Sequence, residues 1–375
     1  VNAEHERWMR RALELAERGL GETNPNPMVG CVIVKNGRRI AEGWHARAGG
    51  PHAEIVALRR AGPAARGATL YVNLEPCVHH GKTPPCAPAV ARAGIRSVVA
   101  AMKDPDPRVD GRGVAELRAA GIAVTSGVLE PEAIRLNERF VCALRRRRPF
   151  VLLKAAMTLD GRIATARRES TWITSPAQRR EARRFRRLHD AVMVGVGTVL
   201  ADDPLLMPSP RVHRPFYRIV VDSRLRIPLA SRLVRSARLG PVWVLGAAFR
   251  PRKRRRLEER GLSVLSGPAS RGRVSLRWAL STLWQRGIRS VMVEGGSELL
   301  GSFLAARAVD QVALFRAPLI LGGRGSLPAF GGPDPHRLSQ ALRMTPESPL
   351  LRGRGGRRLQ GARGDVAVEL WYPER

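Results

Sequence analysis

The sequence predicts an α/β protein built as two domains. Three observations carry this. The chain has 375 residues, long for one core and comfortable for two. Short apolar strand-type runs alternate with helical patterns in two successive series. Between the series stands Arg145-Arg-Arg-Arg148-Pro149, a charged stretch that reads as a linker and sets the domains at residues 1–147 and 148–375.

The first series opens with a helix over 4–19, whose spacing puts Trp8, Ala12, Leu15 and Ala16 on one face. Val29–Val34 is a strand, and Ile40–Trp44 pairs with it across the turn at Asn36-Gly37. A helix over His52–Ala61 stops at Gly62-Pro63. Strands at Thr69–Asn73, Ser97–Met102 and Ile122–Ser126 alternate with helices at Cys86–Ala93 and Val114–Ala120. Pro131 opens one further helix to about Leu144.

The second series begins with a strand at Phe150–Ala156. Ser175 caps a basic helix from Pro176 to about Leu188. Ala191–Val194, Tyr217–Asp222, Val242–Leu245 and Ser290–Glu294 are strands. Gly295-Gly296 then leads into a helix over Glu298–Ala306, and Val309–Phe315 and Val366–Trp371 complete the strands. Residues 323–364, rich in Gly, Pro and Arg, read as loop. The chain shows no short-period repeat.

Composition excludes several classes. The 44% hydrophobic content argues against a disordered chain, and no apolar run approaches the length of a membrane span. Val1–Arg11 is charged and lacks the apolar region of a signal peptide. Four cysteines, Cys31, Cys77, Cys86 and Cys142, do not make a disulfide scaffold; a cytoplasmic chain with metal-binding thiols fits better. The formal net charge is +33, which would attract anions. Nearly all of it is arginine, the lysines being Lys35, Lys82, Lys103, Lys154 and Lys253 alone. With aromatics at 5% and no stacking residues interleaved with the basic runs, the charge does not make a nucleic-acid binder.

The sharpest chemistry lies in His52-Ala-Glu54, Pro76-Cys77 and Cys86. One imidazole and two thiolates supply three zinc ligands and leave a fourth position for water. Glu54, two residues from His52, faces that position without ligating and can move protons between water and a leaving amine. The order follows the His-x-Glu and Pro-Cys-x-x-Cys pattern of zinc deaminases, but the cysteine spacing departs from it. Eight residues, Val78–Pro85, separate the two cysteines, a loop long enough to meet a substrate. A structural zinc site, closed by His79 or His80, is the competing reading. In the second domain no Gly-x-Gly-x-x-Gly follows a strand. Val293-Glu-Gly-Gly296 instead ends a strand in paired glycines before a helix, a place where backbone N–H groups can cradle a diphosphate.

Several segments together resemble one family. Thr23-Asn-Pro-Asn-Pro-Met-Val-Gly-Cys31, Gly43-Trp-His45, Pro51-His-Ala-Glu54 and Leu74-Glu-Pro-Cys-Val-His-His-Gly-Lys-Thr-Pro-Pro-Cys86 are similar to the bifunctional riboflavin-biosynthesis deaminase–reductases, the RibD/RibG family. Lys154-Ala-Ala-Met-Thr-Leu-Asp-Gly161, Trp172-Ile-Thr-Ser-Pro176, Gly195-Val-Gly-Thr-Val-Leu-Ala-Asp-Asp-Pro204, Arg218-Ile-Val-Val-Asp-Ser223 and Val293-Glu-Gly-Gly296 extend the resemblance through the second domain. It implies a cytidine-deaminase-like three-layer α/β/α domain followed by a dihydrofolate-reductase-like α/β domain. It implies zinc on His52, Cys77 and Cys86, with Glu54 as proton shuttle. The substrate would be a diamino-ribosylamino-pyrimidinone 5′-phosphate, contacted at Asn24, His45, Lys82, Asp104 and Asp106. NADPH would lie against Ala156, Trp172, Thr198, Asp202, Ser223 and the stretch Gly296, Ser297, Glu298, Leu299, Leu300, Gly301 and Ser302. It would reduce the ribosyl group to ribityl, with substrate held by Lys154, Ser170, Arg186, Leu206, Arg211 and Glu294. The resemblance also implies a homo-oligomer.

One segment departs from the pattern. After Asp203-Pro204 the family shows Leu-Thr and soon an Arg, whereas this chain runs Leu205-Leu-Met-Pro-Ser-Pro-Arg211. Two other readings stand beside the bifunctional enzyme: a deaminase of another nucleotide with a degenerate reductase domain, and a basic nucleic-acid-binding zinc protein. Glu54 argues against the latter, since a structural site has no use for it. The run of motifs from Lys154 to Glu294 argues against the former.

Overall fold

The computed structural model describes residues 2–81, 83–247, 250–270, 272–347 and 368–374. Contacts divide the chain into Val1–Arg146 and Arg147–Arg375.

The first unit runs α1 (Ala3–Glu17), β1 (Gly30–Lys35), β2 (Arg38–Trp44), α2 (Ala53–Ala61), β3 (Thr69–Val72), α3 (Cys86–Arg92), β4 (Ser97–Ala100), α4 (Arg112–Ala119), β5 (Ala123–Ser126), α5 (Glu130–Leu136) and α6 (Glu138–Arg146). Its five strands lie in the order β2-β1-β3-β4-β5. β1 pairs antiparallel with β2 and β3, while β3, β4 and β5 run parallel. Alternation along β1 explains the layers. Cys31 and Ile33 pack with Ala53 and Ala57 of α2, Val90 of α3 and Leu117 of α4. Val32 and Val34 face the other way, onto Met9, Ala12 and Leu15 of α1 and Val141 of α6. Helices therefore cover both faces of the sheet.

Gly43 shows how closely α2 sits on this sheet. A Cβ there would lie 2.3 Å from the Ala53 carbonyl oxygen and 2.6 Å from the Ala57 nitrogen. Gly43→Ala is therefore expected to push α2 outward and to destabilise the unit by about 1–3 kcal/mol, the usual cost of overpacking. Denaturant unfolding of the variant against the parent checks this, and an unchanged midpoint would contradict it.

Where a single helix was expected from Pro131 to Leu144, the structure has two, broken at Asn137 (φ −104°, ψ 24°). The break has a partner. Asn137 Oδ1 accepts the Met28 N–H at 2.8 Å, and its Nδ2 donates to the Met28 oxygen at 2.9 Å. Asn73 donates to the same oxygen at 3.0 Å and accepts the Gly30 N–H at 2.8 Å. Two buried amides thus pin the segment that follows Asn24–Pro27, a tertiary constraint that helical periodicity does not reveal.

The second unit runs β6 (Phe150–Met157), β7 (Arg162–Ala164), α7 (Pro176–Arg187), β8 (Ala191–Gly195), α8 (Val196–Asp202), β9 (Tyr217–Val221), α9 (Arg232–Arg235), β10 (Val242–Gly246), α10 (Pro251–Glu258), β11 (Ser263–Ser266), β12 (Ala269–Ser270), β13 (Arg273–Val274), α11 (Leu276–Gln285), β14 (Ser290–Val293), α12 (Ser297–Ala305), β15 (Gln311–Arg316), β16 (Leu327–Pro328), β17 (Met344–Pro346) and β18 (Val368–Pro373). Nine strands form one sheet in the order β11-β10-β9-β8-β14-β6-β15-β18-β17. From β11 to β15 all neighbours are parallel, and β18 and β17 close that end antiparallel. Parallel strands buried on both faces read as continuous apolar runs, and Val192–Val194 and Val291–Val293 are fully buried. α7 begins with the expected Ser175 cap, and Gln178 completes a capping box.

Loop was expected over 323–364. Its described part, 323–347, holds β16, a short 3₁₀ turn and β17; the remainder, like Val366, lies outside the described residues. Among the described residues no helix is long and apolar enough to cross a membrane.

Candidate active sites

Two helix starts converge in the first unit. His52 is the N-cap of α2, in extended conformation (φ −70°, ψ 160°), and its side chain makes no capping bond. Cys86 is the first residue of α3. The loop between Cys77 and Cys86 is closed by the Cys86 and Ala87 N–H groups, which donate to the Cys77 oxygen at 3.0 and 3.1 Å. These supports bring His52 Nδ1 to 3.2 Å from Cys86 Sγ and 3.5 Å from Cys77 Sγ. The three ligand atoms lie within 4.8 Å of one another. One imidazole nitrogen and two sulfurs fit a zinc ion with a position to spare. Among the described residues neither His79 nor His80 joins the group. The other ring nitrogen of His52, Nε2, lies 3.1 Å from Thr83 Oγ1.

Glu54 sits in the first turn of α2 and is 3% exposed. Burial first, and the negative Cys77 second, push its carboxyl up to about 7. Cys77 itself is lowered to about 4, chiefly by a hydrogen bond from Cys86, with His52 adding to the effect. The same bond and burial raise Cys86. A carboxyl near neutrality beside a three-ligand cluster suits proton transfer in both directions.

The expected substrate residues arrange themselves around this cluster unequally. His45 is buried and forms an edge contact with His52, ring centroids 5.5 Å apart. Its Nδ1 faces the Pro51 oxygen at 3.0 Å and its Nε2 faces Asn26 Nδ2 at 3.4 Å. Burial lowers its pKa. Asn24 is half-buried and precedes a cis Pro25. Asp104 is buried and pushed up to about 7, by burial first and then by carboxylates at Asp106 and Glu75. Asp106 instead turns to Arg108, whose Nη2 donates to it at 2.6 Å. Lys82 lies outside the described residues.

Sequence reasoning missed Glu75. Its buried carboxylate accepts the N–H groups of Asp104, Gly111 and Val114 at 3.1, 3.0 and 3.1 Å. It therefore ties the loop of Asp104 to the strand end that leads into Cys77. A glutamate immediately before Pro76-Cys77 was the available signal, but its partners are far along the chain.

In the second unit, three charged groups meet where β14 ends beside the middle of β6. Arg186 of α7 grips Glu294 with two parallel bonds, Nε to Oε1 at 2.5 Å and Nη2 to Oε2 at 2.8 Å. Its Nη1 donates to the Met207 oxygen at 2.8 Å. Lys154 lies close enough to feel both charges; burial lowers its pKa, and Glu294 partly offsets this. Glu294 is lowered despite burial, because Arg186 outweighs it. The departing segment is held by Arg186 and by a second arginine, Arg218. Besides Met207, the Leu205 oxygen accepts from Arg218 at 3.4 Å, Leu206 is buried at φ +56°, and Arg211 is exposed.

The glycine cradle lies beside this cluster. The Gly195 N–H donates to the Gly295 oxygen at 2.8 Å, and Gly295 adopts φ +117°, which a side chain would oppose. A Cβ on Gly296 would stand 3.4 Å from Thr198 Oγ1. Ser297 Oγ is buried there without a hydrogen-bond partner. Open backbone and an unsatisfied hydroxyl at the start of α12 fit a dinucleotide phosphate. The expected stretch is not uniform, however. Leu299 and Leu300 turn into the core, Glu298 pairs with Arg273, and Ser302 Oγ donates to the Glu298 oxygen. Gly301 lies against the backbone of Gly331, whose oxygen a Cβ would meet at 1.6 Å.

Of the remaining positions, Ala156 is half-buried near the end of β6, Ser170 donates to Asp202 at 3.0 Å, and Ser223 Oγ accepts the Val274 N–H at 2.9 Å. Trp172 is 71% exposed, with the Arg179 guanidinium 4.2 Å from its ring centre. A tryptophan left so open is not a core residue and remains available to a ligand.

Both units of the chain match families of known proteins. Residues 2–102 match the cytidine and deoxycytidylate deaminase zinc-binding region, and residues 149–348 match the RibD C-terminal domain. The chain is 43% identical to the riboflavin biosynthesis protein RibD of Actinobacillus pleuropneumoniae, covering 92% of each. It is also 43% identical to that of Escherichia coli K12, over 84% of this chain and 88% of the other. Among solved structures, Acinetobacter baumannii RibD superposes with a TM-score of 0.87 at 37% identity, covering 99% of both chains. A Thermotoga maritima protein described as a diaminohydroxyphosphoribosylaminopyrimidine deaminase and 5-amino-6-(5-phosphoribosylamino)uracil reductase gives 0.81 at 36% identity, again over 99% of both.

Proposed function

This chain belongs to the RibD family, and we propose that Glu54, with His52, Cys77 and Cys86, forms its deaminating centre and that Lys154, Arg186 and Glu294 form its reducing one. The protein is a bifunctional riboflavin-biosynthesis enzyme, with a zinc-dependent deaminase domain ahead of an NADPH-dependent reductase domain. The observation that carries the residue assignment is the convergence of one imidazole and two sulfurs beside a buried, unligated carboxylate.

Zinc, when bound, supplies Lewis acidity that lowers the proton affinity of the attacking water. His52, Cys77 and Cys86 hold it. Glu54 takes a proton from the water and delivers it to the departing amino group, so that ammonia leaves and a uracil ring remains. Asn24, His45 and Asp104 orient the pyrimidine, and Lys82 neutralises its phosphate. In the second unit NADPH, when bound, supplies hydride to the sugar carbon. The backbone of Gly295–Ser297 and the Thr198 hydroxyl seat its phosphates, and Trp172 closes over the exposed side. Lys154 and Glu294 meet the sugar hydroxyls, with Arg186 fixing the carboxylate of Glu294. The same reading makes the protein a cytoplasmic homo-oligomer that leaves nucleic acid alone; family membership supports the first part and the lack of stacking aromatics the second.

NADPH consumption, followed at the cofactor's own absorbance with the deaminated pyrimidine phosphate, tests the second site. Oxidation by the full chain is expected, and none by a folded sample would overturn it. Cys86→Ser replaces a soft sulfur with a poor zinc donor. It should reduce zinc content severely while NADPH oxidation persists, which metal analysis beside the absorbance assay checks.

A further inference from the structure

An imidazole that ligates a metal must present a bare nitrogen to it. The proton then sits on the other nitrogen and needs an acceptor, which fixes both tautomer and ring angle. In this site His52 turns Nδ1 to the sulfurs, and Thr83 Oγ1 stands 3.1 Å from Nε2. We propose that Thr83 is a positioning residue of the zinc site, its hydroxyl oxygen accepting the His52 Nε2–H and so holding Nδ1 bare toward the metal. This rests on the reading of His52 as a ligand.

The surrounding backbone makes Thr83 a fixed acceptor rather than a passing contact. It lies in the same loop as the second sulfur, three residues before Cys86. Pro84 and Pro85 stand between them and lock two of the intervening φ angles. On its other side the Gly81 N–H donates to the Thr83 oxygen at 3.2 Å. Its branched Cβ restricts the hydroxyl to few rotamers. The loop that delivers one ligand therefore also orients another, so that Cys86 and His52 are set as a pair.

Zinc affinity of the full chain, measured by competition with a chelator of known strength, tests this without reference to activity. Thr83→Val keeps shape and removes the acceptor; it should weaken zinc binding about 10- to 100-fold, as loss of such partners does elsewhere. Thr83→Ser restores an acceptor and should recover most of that loss. Valine binding zinc as tightly as the parent would overturn the proposal. Serine binding as weakly as valine would also overturn it, by showing that the methyl packing and not the oxygen matters. If the valine chain does not fold, the serine variant paired with Thr83→Ala gives the same contrast. A parent chain with no zinc affinity would instead sink the assignment of His52, Cys77 and Cys86.

Discussion

Glu54→Gln is expected to retain zinc but to lose ammonia release by about 100- to 10,000-fold, the usual worth of a positioned general acid–base. The substitution keeps size and shape, so the packing of the 3%-exposed side chain survives. What disappears is the ability to accept a proton. Glutamate here is suited to both halves of the task because burial and the adjacent Cys77 lift its carboxyl to about 7. It is the second residue of α2, whose first turn packs on β2 at Gly43, so its aim is set by the scaffold. Ammonia assay, metal analysis and NADPH oxidation on one preparation separate the outcomes. Deamination within tenfold of the parent would refute the shuttle role.

Arg186→Ala is expected to abolish NADPH oxidation and to lower the stability of the second unit by about 3–5 kcal/mol, while deamination continues. The magnitude follows from leaving a buried carboxylate without its bidentate partner. Glu294 would keep only Lys154, itself already disfavoured as a cation by burial. The Met207 oxygen would lose its donor as well, freeing the segment that departs from the family pattern. Replacing both members, Arg186→Met with Glu294→Met, should recover much of the stability but none of the activity. Denaturant unfolding beside the absorbance assay distinguishes packing from chemistry. An active Arg186→Ala chain would show that the pair does not serve the chemistry, and an unchanged unfolding midpoint that it does not serve the packing.

The deaminase chemistry was legible because zinc demands few residue types at short range, and Glu54 is only two residues from His52. The helices and strands that periodicity marked ended within a few residues of expectation, the Asn137 break aside, but α8, α10, β11 and α11 were not expected. The break at Asn137 was not legible, since its cause is Met28, more than a hundred residues away in sequence. Glu75 escaped for the same reason, its partners being backbone groups at 104–114. Arg186 was expected to hold substrate; only folding reveals that Glu294 takes one whole edge of its guanidinium, Nε and Nη2. Within Gly296–Ser302 the side chains of Leu299 and Leu300 turn inward, because half of any amphipathic helix belongs to the core.

The most direct test of the account is a product time course by mass spectrometry, starting from the diamino-ribosylamino-pyrimidinone phosphate with the full zinc-loaded chain. Without NADPH, one amino group should be exchanged for oxygen and the reaction should stop there. With NADPH, the same product should go on to gain two hydrogens. A chain that leaves the substrate intact, or deaminates it but never reduces the product with NADPH present, would contradict the assignment of two working sites.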